Sequence, residues 1–274
     1  MQHKNITFIG AGNMAGSIIN GLVNSGYPAK QICASAPSLT NTQKLADELS
    51  ILNSQDNSQS AQWAEVVVLG VKPQMMATVC QTLVDAGVDF SNKLVISIAA
   101  GVSVARLQSI LGENTAVIRT MPNTPSLLQK GMTGLFASQQ VTKEDKAFSG
   151  ELMAAVGEIV WVEEEAQING VIAAAGSAPA YFFLFMEAMQ NKAIEMGFSK
   201  EDARLLVQQA AIGSAEMVKQ NQQLDLATLR NNVISKGGTT AEAVRTFNEL
   251  NLPEIVGKAM QAASDRGAEM EKLF

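Results

Sequence analysis

The first half of the chain alternates short apolar runs with amphipathic stretches. The runs at 6–10 and 66–71 are apolar at nearly every position, which is typical of parallel strands buried on both faces of a sheet. Stretches with helical spacing separate these runs, and this alternation predicts a doubly wound, Rossmann-like α/β domain. Further strands are predicted at 31–35, 51–53, 94–99 and 116–119, edge strands at 134–137 and 158–162, and helices at 14–25, 39–49, 74–86, 104–111 and 143–156.

The pattern changes after the acidic run at 163–165. From residue 166 onward the chain is rich in Ala, Met, Gln and Glu and shows only helical spacing. We therefore predict an α/β domain over 1–164 and an all-α domain over 165–274. Long apolar helices in a domain of this size would expose too much apolar surface alone, which favours a homo-oligomer. Ser199 with Asp202 predicts the cap of a helix at about 200–220, Thr239 or Thr240 the cap of a helix at 241–250, and Pro253 the start of the last helix.

Charge and cysteine usage exclude several classes of protein. The net charge of −6 argues against a nucleic-acid partner, whose binding surface is basic. Cys33 and Cys80 form no CxxC pair and there is no histidine cluster, so we expect no metal site and a reducing, cytoplasmic location. The single histidine, His3, precedes the first strand and is expected to be a frayed terminal residue. Any chemistry must then run without a histidine acid or base.

No membrane partner is predicted. The most apolar segment, 171–186, contains Gly176 and Pro179 and is shorter than the roughly 20 residues that a membrane span needs. We expect it to be a helix buried in the core or at a subunit interface.

The sequence GAGNMA at 10–15 follows the first strand and opens a helix. Gly10 permits a tight turn, Gly12 lets the backbone approach a pyrophosphate, and Ala15 allows close packing of helix on strand. In this context the motif predicts dinucleotide binding, although a flexible turn in another α/β fold has the same letters.

Other strand ends carry candidate residues. Residues 35–38 hold no carboxylate to repel a 2′-phosphate, which favours NADPH and leaves NADH possible. Lys72 follows the fourth strand and so faces the ligand edge, unless it is a solvated loop lysine. The loop 99–101 has small residues, as close approach to a flat ring requires. Asn123, between two prolines, offers an amide near the nicotinamide end or belongs to a structural turn.

In the second domain, Gly237 and Gly238 precede a predicted helix. Backbone N–H groups left free there form a site for a carboxylate, and the Thr240 hydroxyl can donate or accept a hydrogen bond. Ordinary helix capping is the alternative interpretation.

These segments, in this order, resemble the pyrroline-5-carboxylate reductase family over essentially the whole chain. The matching motifs are GAGNMA at 10–15, VKP at 71–73, MPNTP at 121–125, GSAPAYFF at 176–183 and NNVISKGGTTAEA at 231–243. The last two are far more specific than the glycine motif. Two departures are visible: Ala178 stands where the family usually has Gly, and Lys236 where it usually has Pro.

The resemblance implies that NAD(P)H, with NADPH preferred, reduces a small cyclic imino acid to proline in the last step of proline biosynthesis. It implies an N-terminal cofactor domain and a helical substrate-binding domain that dimerises and in some members forms a decamer. Hydride would pass to the C=N carbon while Thr240 holds the ring nitrogen, so no strong protein acid is needed. The implied cofactor contacts are Gly10, Gly12, Asn13, Met14, Ser35, Pro37, Asn57, Val71, Lys72, Pro73, Ala99 and Ala100, and the implied substrate contacts are Asn232, Gly238, Thr239 and Thr240.

Two other functions fit the same architecture. A β-hydroxyacid-type dehydrogenase would rely on a lysine of the second domain, where Lys192 comes first but lacks the local glycine pattern. A non-catalytic NADP-binding sensor would need no carboxylate pocket, which the GGTT sequence at 237–240 supplies.

Overall fold

The computed structural model describes residues 3–274. They form an eight-stranded sheet of order β3-β2-β1-β4-β5-β6-β7-β8. Strands β1 to β6 are parallel, β7 is antiparallel to β6, and β8 runs parallel to β7. The strands are β1 Ile6–Ile9, β2 Ile32–Ser35, β3 Leu52–Ser54, β4 Val66–Leu69, β5 Leu94–Ser97, β6 Ala116–Met121, β7 Gly131–Ala137 and β8 Gly157–Trp161.

Helices connect the strands and then form the rest of the chain. In the first half they are α1 Asn13–Asn24, α2 Leu39–Leu49, α3 Asn57–Trp63, α4 Pro73–Asp85, α5 Val104–Leu111 and α6 Lys143–Ala154, with 3-10 turns at Ala29–Gln31 and Thr124–Leu128. They continue as α7 Gln167–Val171, a π-helical turn Ile172–Gly176, α8 Ala178–Glu195, α9 Lys200–Gln220, α10 Leu226–Asn232, α11 Thr239–Glu249 and α12 Leu252–Glu271.

The predicted α/β architecture is confirmed. Strands β1, β2, β4 and β5 are buried at every position, because helices cover both faces and bury one apolar cluster on each. The predicted edge strands are only half right: β8 is the edge, whereas β7 lies between β6 and β8. Helix α3 and the short α10 are additional to the predicted elements.

The chain divides into two compact units, Met1–Ser177 with Ala262–Phe274, and Ala178–Gln261. This division differs from the predicted boundary at 164/165. Residues after that boundary join the sheet unit because Ile168 and Ala173 are buried and because Glu271 near the chain end pairs with Arg119 of β6.

The second unit is helical, and residues 165–274 contain no strand in the described structure. Helix α9 begins where predicted, since Ser199 Oγ accepts a hydrogen bond from the Asp202 N–H at 3.0 Å. Much of the apolar surface of this unit is exposed: Phe182 of α8 is 66% exposed and Leu205 of α9 is 61% exposed. An exposed apolar surface of this kind marks a site of protein–protein interaction in a soluble protein.

The expectation for the apolar segment 171–186 needs correction. The helical run there is Gln167–Glu195, 29 residues long, and it contains an 18-residue window with a mean hydropathy of 1.5, so that by length and composition it could cross a membrane. Only 22% of that window is buried, so it is not a helix buried within the core of the chain. The length estimate fell short because the helix also includes residues 167–170 and 187–195, while the π-helical turn Ile172–Gly176 lies within it.

Candidate active site

The ends of β1 and β4 meet so closely that side chains are excluded. Gly10 has a φ of +96°, and a Cβ added there would lie 2.9 Å from the carbonyl carbon of Gly70. The Gly10 N–H donates to the Ser35 carbonyl oxygen at 2.8 Å, and the Gly70 N–H donates to that of Ile9 at 2.9 Å. The carboxyl ends of β1, β2 and β4 are therefore joined at the point where the strand order reverses, which is where open α/β sheets bind ligands.

Helix α1 begins directly above this junction. Gly12 is its N-cap, and no side chain of residues 3–274 caps it. A Cβ on Gly12 would meet nothing within 4 Å, so the backbone there borders open space. Asn13 is exposed and Met14 half-buried, and Ala15 Cβ would lie 3.4 Å from a Cβ on Gly70. The turn has the free N–H groups and the room that a pyrophosphate requires.

The end of β2 differs from its expected role. Ser35 is fully buried, and its hydroxyl donates to Asn57 Oδ1 at 2.8 Å. That hydroxyl therefore supports the side chain of Asn57, at the start of α3, rather than facing a 2′-phosphate. Pro37 is exposed beside Ser38, whose Oγ caps α2 by accepting from the Thr40 N–H.

Beyond β4 lie three predicted cofactor residues, Val71, Lys72 and Pro73. Lys72 is exposed and is the N-cap of α4, with Pro73 as its first residue. Proline at this position has no N–H to satisfy and has the φ that a helix start needs. The Lys72 ammonium is thus carried by a stiff helix start next to the β1–β4 junction.

After β5, Ala99 is buried and Ala100 is half-buried. The next residue, Gly101, has a φ of +73°, and a Cβ on it would lie 2.8 Å from Met270 Cβ in α12. The Ile98 N–H donates to the Leu69 carbonyl at 3.1 Å, which fixes the start of this loop to the end of β4. The small residues of the loop thus lie at the same edge as Gly10.

The expected cofactor role of Asn123 is not supported by its contacts. Its side chain is 8% exposed; Nδ2 donates to the Ala175 carbonyl at 3.0 Å, and Oδ1 accepts from the Met132 N–H at 2.9 Å. Both ends of the amide are therefore occupied by backbone groups. The side chain bridges the loop after β6 to β7 and to the π-helical turn, which is the structural-turn interpretation.

In the second unit, α11 begins at Thr239 with Gly238 as its N-cap, and no side-chain cap is found among the described residues. The predicted cap by Thr239 or Thr240 is therefore wrong. The Gly238 N–H donates to the Ser235 carbonyl at 3.0 Å, and the first helical bond runs from the Glu242 N–H to the Gly238 carbonyl at 3.3 Å. By helix geometry the N–H groups of Thr239, Thr240 and Ala241 have no intrahelical acceptor.

The side chains around the start of α11 leave room for the anion of a bound ligand. Thr240 is half-buried, and Asn232 at the end of α10 is exposed. The carboxylate of Glu242 in the first turn is held by Arg245, whose Nη2 lies 2.9 Å from Glu242 Oε2. The hydrogen bonds that Arg245 donates to Glu242 and then to Glu249 raise the pKa of Arg245 above its usual value. Glu242 is thereby drawn along the helix toward Arg245.

The starts of the longer helices differ in whether a side chain caps them. Side chains cap α2, α5, α6 and α9. Of the helices of eight or more residues whose N-caps the structure describes, those without a side-chain cap are α1, α4 and α11. At these three helix starts lie the predicted residues Gly12, Asn13, Met14, Lys72, Pro73, Gly238, Thr239 and Thr240, and an uncapped helix N-terminus is a site for an anion.

Other reactive side chains lie elsewhere. The His3 ring packs edge-on against Tyr27 at a centroid distance of 5.1 Å, near the amino end of β1, so it is packed rather than frayed. Cys33 and Cys80 are free and buried. Burial raises the pKa of the Cys33 thiol, and it raises the pKa of the Cys80 thiol to about 12. No cluster of three metal-binding side chains occurs within residues 3–274.

Two features at the sheet edge escaped the sequence-based predictions. Gly70 provides the close approach to Gly10, and its position between a strand and VKP was an available signal. Arg119 is 1% exposed and lies between Glu165 and Glu271. A single charge inside the apolar run AVIRTM signals a buried ion pair, but its partners are distant in sequence.

Comparison with known proteins agrees with this geometry. A family described as pyrroline-5-carboxylate reductase dimerisation matches residues 165–270, and one described as NADP oxidoreductase coenzyme F420-dependent matches residues 5–101. The pyrroline-5-carboxylate reductase of Vibrio alginolyticus is 61% identical over 274 residues, which is 100% of each chain.

Solved structures have the same fold. The structure of a pyrroline-5-carboxylate reductase from Coxiella burnetii is 41% identical, with a TM-score of 0.93, over 98% of this chain and 99% of that one. The Plasmodium falciparum pyrroline carboxylate reductase, solved with NADP bound, is 26% identical with a TM-score of 0.86, over 99% of both chains.

Proposed function

This chain belongs to the pyrroline-5-carboxylate reductase family, and we propose that it is an NAD(P)H-dependent oxidoreductase that reduces the C=N bond of Δ1-pyrroline-5-carboxylate to give L-proline, the last step of proline biosynthesis. The observation that carries this proposal is the uncapped start of α11, where free N–H groups adjoin the Thr240 hydroxyl. Such a site suits a small acid with a ring nitrogen, and the dinucleotide edge of the sheet supplies the second half of the reaction.

The cofactor is held by the sheet edge in this proposal. The open space at Gly12 and the uncapped α1 fit a pyrophosphate. Asn57, supported by Ser35, and the exposed Pro37 border the adenosine end, where the absence of a carboxylate in the sequence 35–38 favours NADPH without excluding NADH. The proposed contacts are Gly10, Gly12, Asn13, Met14, Ser35, Pro37, Asn57, Val71, Lys72, Pro73, Ala99 and Ala100.

The substrate is held by the second unit. Its carboxylate accepts hydrogen bonds from the N–H groups of Gly238, Thr239 and Thr240, with Asn232 beside them. Since the Gly238 N–H already reaches Ser235 O at 3.0 Å, Thr239 and Thr240 supply the stronger bonds. The half charge at a helix N-terminus adds to them.

The chemistry needs little from the protein beyond orientation. A reduced nicotinamide, when bound, supplies the hydride. An imine protonated at nitrogen is already electrophilic at carbon, so Thr240 Oγ1 needs only to accept the ring N–H and hold the ring in place. This agrees with a site built without histidine, because no side chain has to act as a general acid and deliver a proton to the imine.

We also propose that residues 165–274 form the substrate-binding and dimerisation domain, in agreement with the family matched at 165–270. A second copy would cover the exposed apolar side chains of α8 and α9, including Phe182 and Leu205. A decamer built from such dimers and a cytoplasmic location complete the proposal. Size-exclusion chromatography with light scattering tests the assembly: a monomer would contradict it.

Activity is tested by following NADPH oxidation with pyrroline-5-carboxylate and detecting proline. Thr240→Ala is compared with Thr246→Ala, a matched control on the same helix whose hydroxyl donates to the Glu242 carbonyl. We expect the wild type and the control to produce proline and the Thr240 variant to be impaired. Wild-type protein that binds NADPH yet leaves the imine unreduced would refute the proposed reaction.

A further inference from the structure

Arg119 is a buried cation with a defined set of partners. It lies in β6 and is 1% exposed; its Nη1 is 2.9 Å from Glu165 Oε1 and its Nη2 is 2.7 Å from Glu271 Oε1. The two carboxylates are 25% and 24% exposed. Burying an ion costs several kcal/mol unless it is paired. The buried guanidinium of Arg119 therefore depends on both carboxylates.

The first partner connects Arg119 to the loop after β5. Glu165 Oε1 also accepts the Val104 N–H at 2.8 Å, and Val104 is the first residue of α5. This bond fixes the far end of the loop 99–103. The near end is fixed separately by the bond from the Ile98 N–H to the Leu69 carbonyl.

The second partner connects Arg119 to the middle of the same loop. Glu271 Oε1 forms an ion pair with Arg119 Nη2 at 2.7 Å and accepts a hydrogen bond from Asn169 Nδ2 at 3.1 Å, so the end of α12 is held against the sheet. Met270, next in the chain, lies over Gly101, where a Cβ would be 2.8 Å from Met270 Cβ. The ion pair thus holds the Met270 side chain in contact with the loop at Gly101, which has a left-handed backbone conformation.

We propose that Arg119 is a positioning residue for the loop 99–103, which it holds at Val104 through Glu165 and at Gly101 through Glu271. The proposal rests on the proposed function, because Ala99 and Ala100 form a cofactor wall only in a chain that binds NAD(P)H. The planar guanidinium suits this role, since its fork reaches two carboxylates at once and a lysine ammonium cannot reproduce that geometry.

The test measures the Kd for NADPH by calorimetry, without imine, for Arg119→Met, Arg119→Lys, Glu271→Ala and a control. The control is Lys4→Met, which breaks another partly buried ion pair of the same unit, Lys4–Asp145 at 2.6 Å, away from the loop. We expect Arg119→Met to raise the Kd about 10-fold, which corresponds to about 1.4 kcal/mol of binding free energy. Arg119→Lys should recover part of the loss, and Lys4→Met should lower Tm without changing the Kd.

Hydrogen exchange supplies a readout of the loop itself. The Val104 amide should exchange faster in Arg119→Met and Glu271→Ala than in Lys4→Met at matched stability. If Arg119→Met does not fold, Glu271→Ala alone decides, with an expected rise in Kd of about 3-fold for the loss of one of two contacts. An unchanged Kd with a lowered Tm, or an equal change in Lys4→Met, would overturn the proposal. Wild-type NADPH binding without imine reduction would instead refute the reaction while leaving these Kd ratios measurable.

Discussion

Replacing Gly10 and Gly12 separately by alanine should distinguish a glycine required by the fold from one required by the ligand. Gly10 has a φ of +96°, and its added Cβ would lie 2.9 Å from backbone atoms of Gly70 and Val71. Gly12 has a φ of −76°, and its added Cβ would meet nothing within 4 Å. The two positions are two residues apart, but only the first is enclosed by protein.

The expected energies follow from these contacts. For Gly10→Ala, the left-handed backbone costs about 1–2 kcal/mol, and overlap with a neighbouring strand adds about 1–3 kcal/mol, a total of about 2–5 kcal/mol. For Gly12→Ala, the helix cap is weakened by less than about 1 kcal/mol. Its methyl group instead occupies the space proposed for the pyrophosphate, and a tenfold weaker Kd for NADPH corresponds to about 1.4 kcal/mol.

Chemical denaturation with and without NADPH measures both quantities. At a cofactor concentration 100 times the wild-type Kd, bound ligand stabilises the wild type by about 2.7 kcal/mol. A tenfold weaker Kd reduces this increment to about 1.4 kcal/mol in Gly12→Ala. Gly10→Ala should be destabilised even without cofactor.

Two results would refute this reasoning. One is a Gly12→Ala protein with the full wild-type increment, which would mean that no ligand group approaches that backbone. The other is a Gly10→Ala protein as stable as the wild type, which would mean that the junction of β1 and β4 can open at no cost.

Four further predictions address single side chains. Thr240→Ala should lower kcat/KM about 10- to 100-fold, as for loss of one positioned hydrogen bond, with Thr240→Ser largely active in steady-state kinetics; an unchanged value would remove Thr240 from the site. Lys72→Ala should raise KM for NADPH more than KM for the imine, and the opposite order would contradict its assignment. Asn123→Ala should cost about 1–3 kcal/mol by urea denaturation, because it leaves buried backbone groups unpaired, and a Kd for NADPH raised without loss of stability would restore its cofactor role. Burial raises the pKa of Cys80 from 9.0 to about 12, so the thiol of the unfolded chain loses its proton at lower pH than the thiol of the folded chain. The free energy of unfolding should therefore fall by about 1.4 kcal/mol per pH unit between pH 9 and 12. Cys80→Ala should flatten this slope, and an equal slope in both proteins would count against the buried thiol.

Local sequence was sufficient where one strand and one helix carry the whole signal. Apolar runs such as 66–71 identified buried strands, and Ser199 with Asp202 identified the start of α9 to the residue. The glycine motif identified the turn at Gly10 and Gly12 because its requirement is backbone conformation and space, both of which depend on neighbouring residues. The helix beginning near Thr240 was identified for the same reason.

Hydrogen bonds to distant partners are what the sequence did not show. The Ser35 hydroxyl, expected at the adenosine end of the cofactor, donates to Asn57, and the side-chain amide of Asn123 bonds to the backbone of Met132 and Ala175. A hydrogen bond across 9 to 52 residues leaves no periodic trace in a sequence. The helical run Gln167–Glu195 was underestimated because only its apolar part, 171–186, was counted, whereas the helix continues into the more polar residues on either side.

The sequence alone determined most of the order of strands and helices and the turns that need glycine, because each depends on residues within a few positions of one another. Tertiary structure decided which strand ends meet, that Gly70 faces Gly10, and that Arg119 joins Glu165 to Glu271 over 46 and 152 positions of the chain. Those choices depend on burying apolar area and pairing charges among segments far apart in sequence, and only the folded chain brings such segments into contact.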